Sequence, residues 1–370
     1  MRRKSIVLFA AATIIASLAA IPVMIERQGG SAQAAGADSP FVQAAAETFE
    51  TKADLGMALF FEPRLSADAS TSCSSCHQPD RAFTDGLPLS TGFPSTEYFR
   101  NTPTLLNTGQ LPRAFWDGRI AGNDLSSVVR DHIVEAHFMS SDSRIITERM
   151  RQIPEYEESF IALFGGEASF GKIRSALVEY LTTLKSENNP YVDFVAGDSS
   201  ALSAQAQRGL ALFSGAAGCS TCHSGEFLSD GEAHALGVPE NPDVFANTDR
   251  HITFRRFFKQ FGIGDFVTLR EDVGVFAQTH EDGDRGAFYT PSLLEVASTA
   301  PYMHNGMLAT LEDVVRFYDD GAGGDAITPL GLTDNEVSDL VAFLESLGST
   351  LPPVEVPRLP DYQLRELGVN

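Results

Sequence analysis

All four cysteines of this chain fall in two five-residue stretches, CSSCH at 73–77 and CSTCH at 219–223. Three uses of cysteine compete for such a pattern: disulfides, a zinc site, and covalent haem attachment. In the spacing C-x-x-C-H, the two thiols bond the porphyrin vinyl groups and the adjoining histidine becomes the proximal iron ligand. Cys73, Cys76 and His77 would hold one haem, and Cys219, Cys222 and His223 a second. From the composition, one match is expected by chance on the order of once in a thousand such chains, so a pair is not an accident. A four-thiolate zinc site would leave both histidines unexplained. A thioredoxin-like pair needs a βαβ setting that the sequence does not offer. The residues predict two covalently bound haem c groups.

A haem with a second strong axial ligand transfers electrons, whereas one with an open position reacts. No histidine lies between His77 and His132, and no methionine between Met57 and Met139. The loop after the first motif, QPDRAFTDGLPLSTGFPSTEYFRNTPTL, therefore carries no evident sixth ligand. The first haem is expected to be an open iron that binds hydrogen peroxide.

Helices must position these motifs. The segment DLGMALFFEPRLSADASTSCSSCH resembles QRGLALFSGAAGCSTCH, 146 residues further on from motif to motif. Each reads as an amphipathic helix (Leu55, Leu59 and Phe60; Leu210 and Phe213), a polar turn, and the motif, which points to an internal duplication. A helical stripe at Ile173, Leu177, Tyr180, Leu181 and Leu184 predicts a helix over 169–186. Thr310 as cap and Gly321 as stop bracket another over 310–321. Thr333 or Asp334 caps a third over 332–349. Strand signals are sparse. The expected fold class is mainly α, with two cytochrome-c-like haem domains and long ordered loops. The expected boundaries are 38–195 for the first domain and 203–350 for the second, with a proline-rich tail at 351–370.

The N-terminus is basic (MRRKS), then apolar over 6–24, then rich in small residues, the layout of a secretory signal over 1–34. The 19-residue apolar run is also long enough to span a bilayer, so an uncleaved anchor is the alternative, and the only expected membrane contact. Either way the chain is expected to be exported to the periplasm, the side on which bacterial haem attachment occurs. Removing residues 1–34 takes four basic and one acidic residue from totals of 27 and 49, leaving a net charge of −25. Such a surface disfavours nucleic acid. It suits solubility, and it can steer a basic partner.

Beyond the haem motifs, the chain resembles bacterial di-haem cytochrome c peroxidases and the related MauG enzymes. The resemblance covers about 45–350. It rests on CSSCHQPDRAFTDG, RNTPTLLN, FWDGR, the second C-x-x-C-H, YTPSLLEVASTAPYMHNGMLATLEDVVRFY and LVAFLESL. It implies two cytochrome-c-like domains with one calcium ion between them, one haem doing chemistry and the other storing an oxidising equivalent. The second haem's sixth ligand would come fourteen residues past His304, which is Tyr318. Methionine stands there in classical members and tyrosine in MauG-like ones. Met303 and Met307 then read as apolar packing. The histidine that caps the first haem in classical members is replaced by Phe93, which again implies an open iron. The family's proton-moving glutamate would be Glu135, although Leu125 stands where its amide partner is expected. His132 and His137 flank Glu135 as candidates for polar help, His137 equally as a structural residue. Trp116, the only tryptophan, would lie between the haems and relay oxidation. Asp117 and Arg119 would fix propionates or the loop. Calcium would be held by the Asn101 side chain and the carbonyls of Thr299 and Pro301.

The expected function is a di-haem c-type peroxidase that reduces hydrogen peroxide with electrons from a small periplasmic donor, a cytochrome c or a cupredoxin. One alternative is MauG-like, peroxide-dependent oxidation of aromatic residues in a protein substrate. The other is a di-haem electron carrier without peroxidase activity.

Overall fold

The computed structural model describes residues 48–94, 96–323, 327–351 and 353–362. The described part of the first half holds α1 (Lys52–Phe60), α2 (Cys73–Cys76), the ribbon β1 (Arg113–Ala114) and β2 (Ile120–Ala121), α3 (Leu125–Val134), α4 (Ser143–Arg151), α5 (Pro154–Phe164), α6 (Phe170–Thr183) and α7 (Pro190–Val195). The second half follows with α8 (Ala204–Ser214), β3 (Ala233–Ala235), α9 (Asp243–Ala246), α10 (Thr248–Gln260), α11 (Phe276–Thr279), β4 (Ala287–Tyr289), α12 (Leu311–Asp319) and α13 (Asp334–Glu345). Both strand pairs are antiparallel and two-stranded, with Arg113 opposite Ala121 and His234 opposite Phe288.

The predicted helices form where their caps place them. Ser169 accepts from the Lys172 N–H, Thr310 from Asp313 and Thr333 from Glu336, each satisfying an otherwise orphaned donor of the first turn. Thr310 and Thr333 complete reciprocal capping boxes with Asp313 and Glu336. The stretch between the halves is not a plain linker, because Pro190 opens the short helix α7 behind an Asn189 cap.

The duplication seen in the sequence is repeated in the packing. In the first half α1 lies against α6, and in the second α8 lies against α13. Each crossing is closed by a glycine at the same place in the repeat. A Cβ on Gly56 would stand 1.9 Å from the Ala176 carbonyl oxygen, and one on Gly209 would stand 1.9 Å from that of Asp339. Backbone-to-backbone approach this close leaves no room for any side chain. Leu55, Leu59 and Phe60 are buried beside the first crossing, Phe213 and Phe343 beside the second.

Three apolar clusters form the interior. One belongs to the first half, from Leu55 to Leu184, and one to the second half, from Phe213 to Leu347. The third joins Leu89, Tyr98 and Phe99 to phenylalanines of α10, Phe254, Phe257 and Phe258. The described residues thus pack as one compact unit. The proline-rich tail crosses back: Leu351, Val354 and Leu359 pack on the first cluster and Arg358 pairs with Glu155. The signal or anchor over 1–34 lies outside the described residues. Among those described, no helix is long and apolar enough to cross a membrane.

Candidate functional site

The first motif is a single helical turn, α2. Ser72 caps it, with its own N–H bonded to the Ser75 hydroxyl, and the His77 N–H closes on the Cys73 carbonyl at 2.9 Å. His77 is buried, and its Nδ1 lies 2.9 Å from the Phe83 carbonyl. A carbonyl only accepts, so Nδ1 carries the proton and Nε2 keeps its lone pair, the tautomer a metal requires. Burial pushes the Cys73 thiol up to about 12 and lowers the imidazole pKa, so these groups stay uncharged.

The second motif repeats the design. A 3-10 turn over Cys219–Thr221 brings the His223 N–H to the Cys219 carbonyl at 2.9 Å, and His223 Nδ1 lies 3.0 Å from the Leu228 carbonyl. Burial raises Cys219 to about 11. Tyr318, on α12, is raised to about 12, first by burial and then by the neighbouring Cys219 and Cys222. Tyr318 thus lies near the two thiols of the second motif. All four thiols are free. Half-buried free thiols next to an imidazole whose Nδ1 is tied to a carbonyl fit covalent haem at both places. Asp230 and His234, paired at 2.8 Å, stand beside Cys222. Sequence reasoning had not singled them out.

Trp116 connects the two halves. Its indole N–H donates to the Asn101 carbonyl at 2.9 Å, the Asn101 N–H donates to the His304 carbonyl at 2.7 Å, and the Tyr289 N–H of β4 donates to the Trp116 carbonyl at 3.0 Å. The His304 ring stacks on Phe288 at 3.7 Å, and its buried Nε2 has no hydrogen-bond partner among the described residues. Asp117 is committed to both Arg119 and Arg100. The Arg100 fork holds Asp272 at 2.7 and 2.8 Å and Asp117 at 2.6 Å, and Arg119 reaches Asp117 at 2.9 Å. Burial alone would raise the Asp117 carboxyl; Arg119 and Arg100 overcome it and hold the group below its usual range. The Asp117 side chain is therefore a junction between the halves, and the propionate role is not needed to explain it.

His132 lies near His77, with ring centroids 6.0 Å apart. It projects from α3 against Phe115 and Phe138, with Nδ1 2.9 Å from the Val128 carbonyl. Burial, then the nearby His77, pushes its pKa down to about 3, so the imidazole is neutral. Glu135 ends α3, half-buried, and its carboxylate makes no hydrogen bond to the described residues. His137 stacks flat on Tyr98, consistent with its structural reading.

At the expected calcium position, the Asn101 amide donates to the Leu87 carbonyl, which leaves Oδ1 uncommitted. The carbonyls of Thr299 and Pro301 accept no hydrogen bond from the described residues. Three free neutral oxygens suit a hard cation.

A family model described as di-haem cytochrome c peroxidase matches residues 50–200. The chain is 46% identical over 318 residues to cytochrome-c peroxidase IdrP2 of Denitromonas iodatirespirans, covering 86% of this chain and 87% of that protein. It is 34% identical over 316 residues to the methylamine utilization protein MauG of Methylorubrum extorquens, covering 84% and 81%. The crystal structure of a MauG-like protein associated with microbial copper homeostasis superposes with a TM-score of 0.69 at 29% identity, covering 82% of this chain and 91% of that one. The chain belongs to the di-haem cytochrome c peroxidase family. It is a mainly α-helical, two-haem c-type peroxidase, an oxidoreductase that uses hydrogen peroxide.

Proposed function

We propose that the haem held by Cys73, Cys76 and His77 is the peroxide site and that the haem held by Cys219, Cys222, His223 and Tyr318 is its electron store. The single observation that carries this is the matched pair of imidazoles, each with Nδ1 tied to a carbonyl and Nε2 left for a metal. Haem iron supplies the redox centre at which the O–O bond of hydrogen peroxide is broken. The Phe83 and Leu228 carbonyls orient the two rings and raise the basicity of Nε2. Glu135, whose carboxylate is free of protein donors, takes the proton from the near peroxide oxygen and returns it to the far one. Overall, hydrogen peroxide, two electrons and two protons give two waters. Trp116, pinned at both its indole N–H and its carbonyl, carries electrons between the halves.

The donor is a small periplasmic redox protein, a cytochrome c or a cupredoxin, drawn to the acidic surface by charge. The association should be strongest at low salt. Tyr318 favours a second reading, oxidation of aromatic side chains in a protein substrate, because phenolate holds the second haem at low potential. Calcium at Asn101, Thr299 and Pro301 would tie the RNTPTL loop to the PYMHNG segment. The domains run over 38–195 and 203–350, behind a cleaved signal or retained anchor at 1–34.

The denatured protein should weigh more than its polypeptide by two haem groups, and His77→Gly should abolish peroxide reduction while keeping both thioether-linked haems. A mass increase of one haem, or full activity in His77→Gly, would refute the assignment.

A further inference from the structure

We propose that Tyr289 is the surface end of the Trp116 relay: it gives an electron to the oxidised tryptophan, becomes a tyrosyl radical, and there oxidises a phenol of a protein substrate. This rests on the reading that Trp116 carries oxidising equivalents between the halves.

Tyr289 meets the tryptophan segment at two points. Its N–H donates to the Trp116 carbonyl at 3.0 Å. Its ring lies on Gly118, two residues further along FWDGR, where a Cβ would stand 2.1 Å from Cε2 and 2.2 Å from Cδ2. Gly118 holds φ at +60°, so glycine is needed there both for the backbone and for the space the phenol fills. The Arg113 guanidinium stands 5.6 Å from the ring centroid on the ribbon that precedes FWDGR and helps fix the ring in this place.

A phenol that is oxidised at neutral pH must also give up its proton, so its hydroxyl has to reach an acceptor or water. The chain has eight tyrosines. Burial raises the pKa of Tyr98 and Tyr156 and pushes Tyr180, Tyr302 and Tyr318 up to about 12, which holds their protons back. The Tyr98 and Tyr180 hydroxyls are buried with no partner among the described residues. Tyr289 is half-buried, and its hydroxyl neither bonds to a described residue nor is shut away from solvent. Among the described residues it is also the one tyrosine with a hydrogen bond to Trp116.

The electrons and protons balance. Each oxidising equivalent on Trp116 removes one electron from Tyr289, and the phenol proton goes to water. A substrate phenol then returns one electron and one proton and restores Tyr289. Two such passages supply the two electrons and two protons that turn one hydrogen peroxide into two waters.

The test is rapid-freeze EPR of the oxidised di-haem protein mixed with hydrogen peroxide without a donor. The second readout is peroxide-dependent coupling of N-acetyltyrosinamide to its dityrosine. The wild type should show a tyrosyl radical. Tyr289→Phe should lower both the radical yield and the coupling rate by at least an order of magnitude, with the spectra of both haems unchanged. Phenylalanine keeps the ring on Gly118, so the loss reports the hydroxyl and not the packing. Trp116→Phe should remove the radical as well. A tyrosyl radical retained in Tyr289→Phe, a wild type with none, or coupling at the wild-type rate in Tyr289→Phe overturns the proposal and leaves the two-haem reading standing. A Tyr289 radical that survives in Trp116→Phe would remove the relay reading on which the proposal rests.

Discussion

Arg100→Leu should destabilise the protein by about 3–5 kcal/mol, the usual consequence of removing one partner from a buried ion pair. Arg100 is 1% exposed, and its two partners, Asp117 and Asp272, are 0% and 4% exposed. Removing the guanidinium leaves Asp272 without a cation and Asp117 with Arg119 alone, all in a water-poor interior. The damage should reach the site. Asp117 adjoins Trp116, whose carbonyl accepts from the Tyr289 N–H of the second half. Urea denaturation of the holoprotein would measure the loss. Arg100→Lys should recover only part of it, because an ammonium cannot serve Asp272 through two parallel bonds and Asp117 through a third. Adding Asp117→Asn and Asp272→Asn to Arg100→Leu should recover some stability, since the stranded charges are then gone. Wild-type stability in Arg100→Leu would show that water replaces the guanidinium.

Tyr318→Met should raise the reduction potential of the second haem by on the order of 100 mV or more, since thioether favours ferrous iron and phenolate ferric, and axial ligands span several hundred millivolts. The phenol stands beside Cys219 and Cys222, the two anchors of that haem. Tyr318→Phe should leave the sixth position to water and shift the optical spectrum. Spectroelectrochemistry would measure both variants. Unchanged potentials and spectra would make Tyr318 a core aromatic and turn attention to Met303 and Met307. With the higher potential, the chemistry should move from protein oxidation toward ordinary peroxide reduction.

Local signals were legible and distant ones were not. The C-x-x-C-H turns, the caps at Ser169, Thr310 and Thr333, and the repeated helix before each motif are written within a few residues, where propensity and capping act directly. Tyr318 stood out only through the family resemblance of the segment around PYMHNG, since a loop separates His304 from α12. The partners of Arg100 were not legible, since Asp272 is 172 residues away and no short pattern announces it. The nearness of His132 to His77, 55 residues apart, was not legible for the same reason, since no short pattern announces which helix packs against the motif. FWDGR was legible as a motif but not in its detail. Its aspartate and arginine are held by the ion network, and the tryptophan is held by the backbone of Asn101.

The central claim is that two haems on one chain together deliver the two electrons of peroxide reduction. Anaerobic titration of the fully reduced protein with hydrogen peroxide, followed optically at both haems, tests it most directly. Both haems should return to the ferric state at one equivalent of peroxide per chain, because each contributes one electron. No reoxidation, or reoxidation confined to one haem however much peroxide is added, would contradict it.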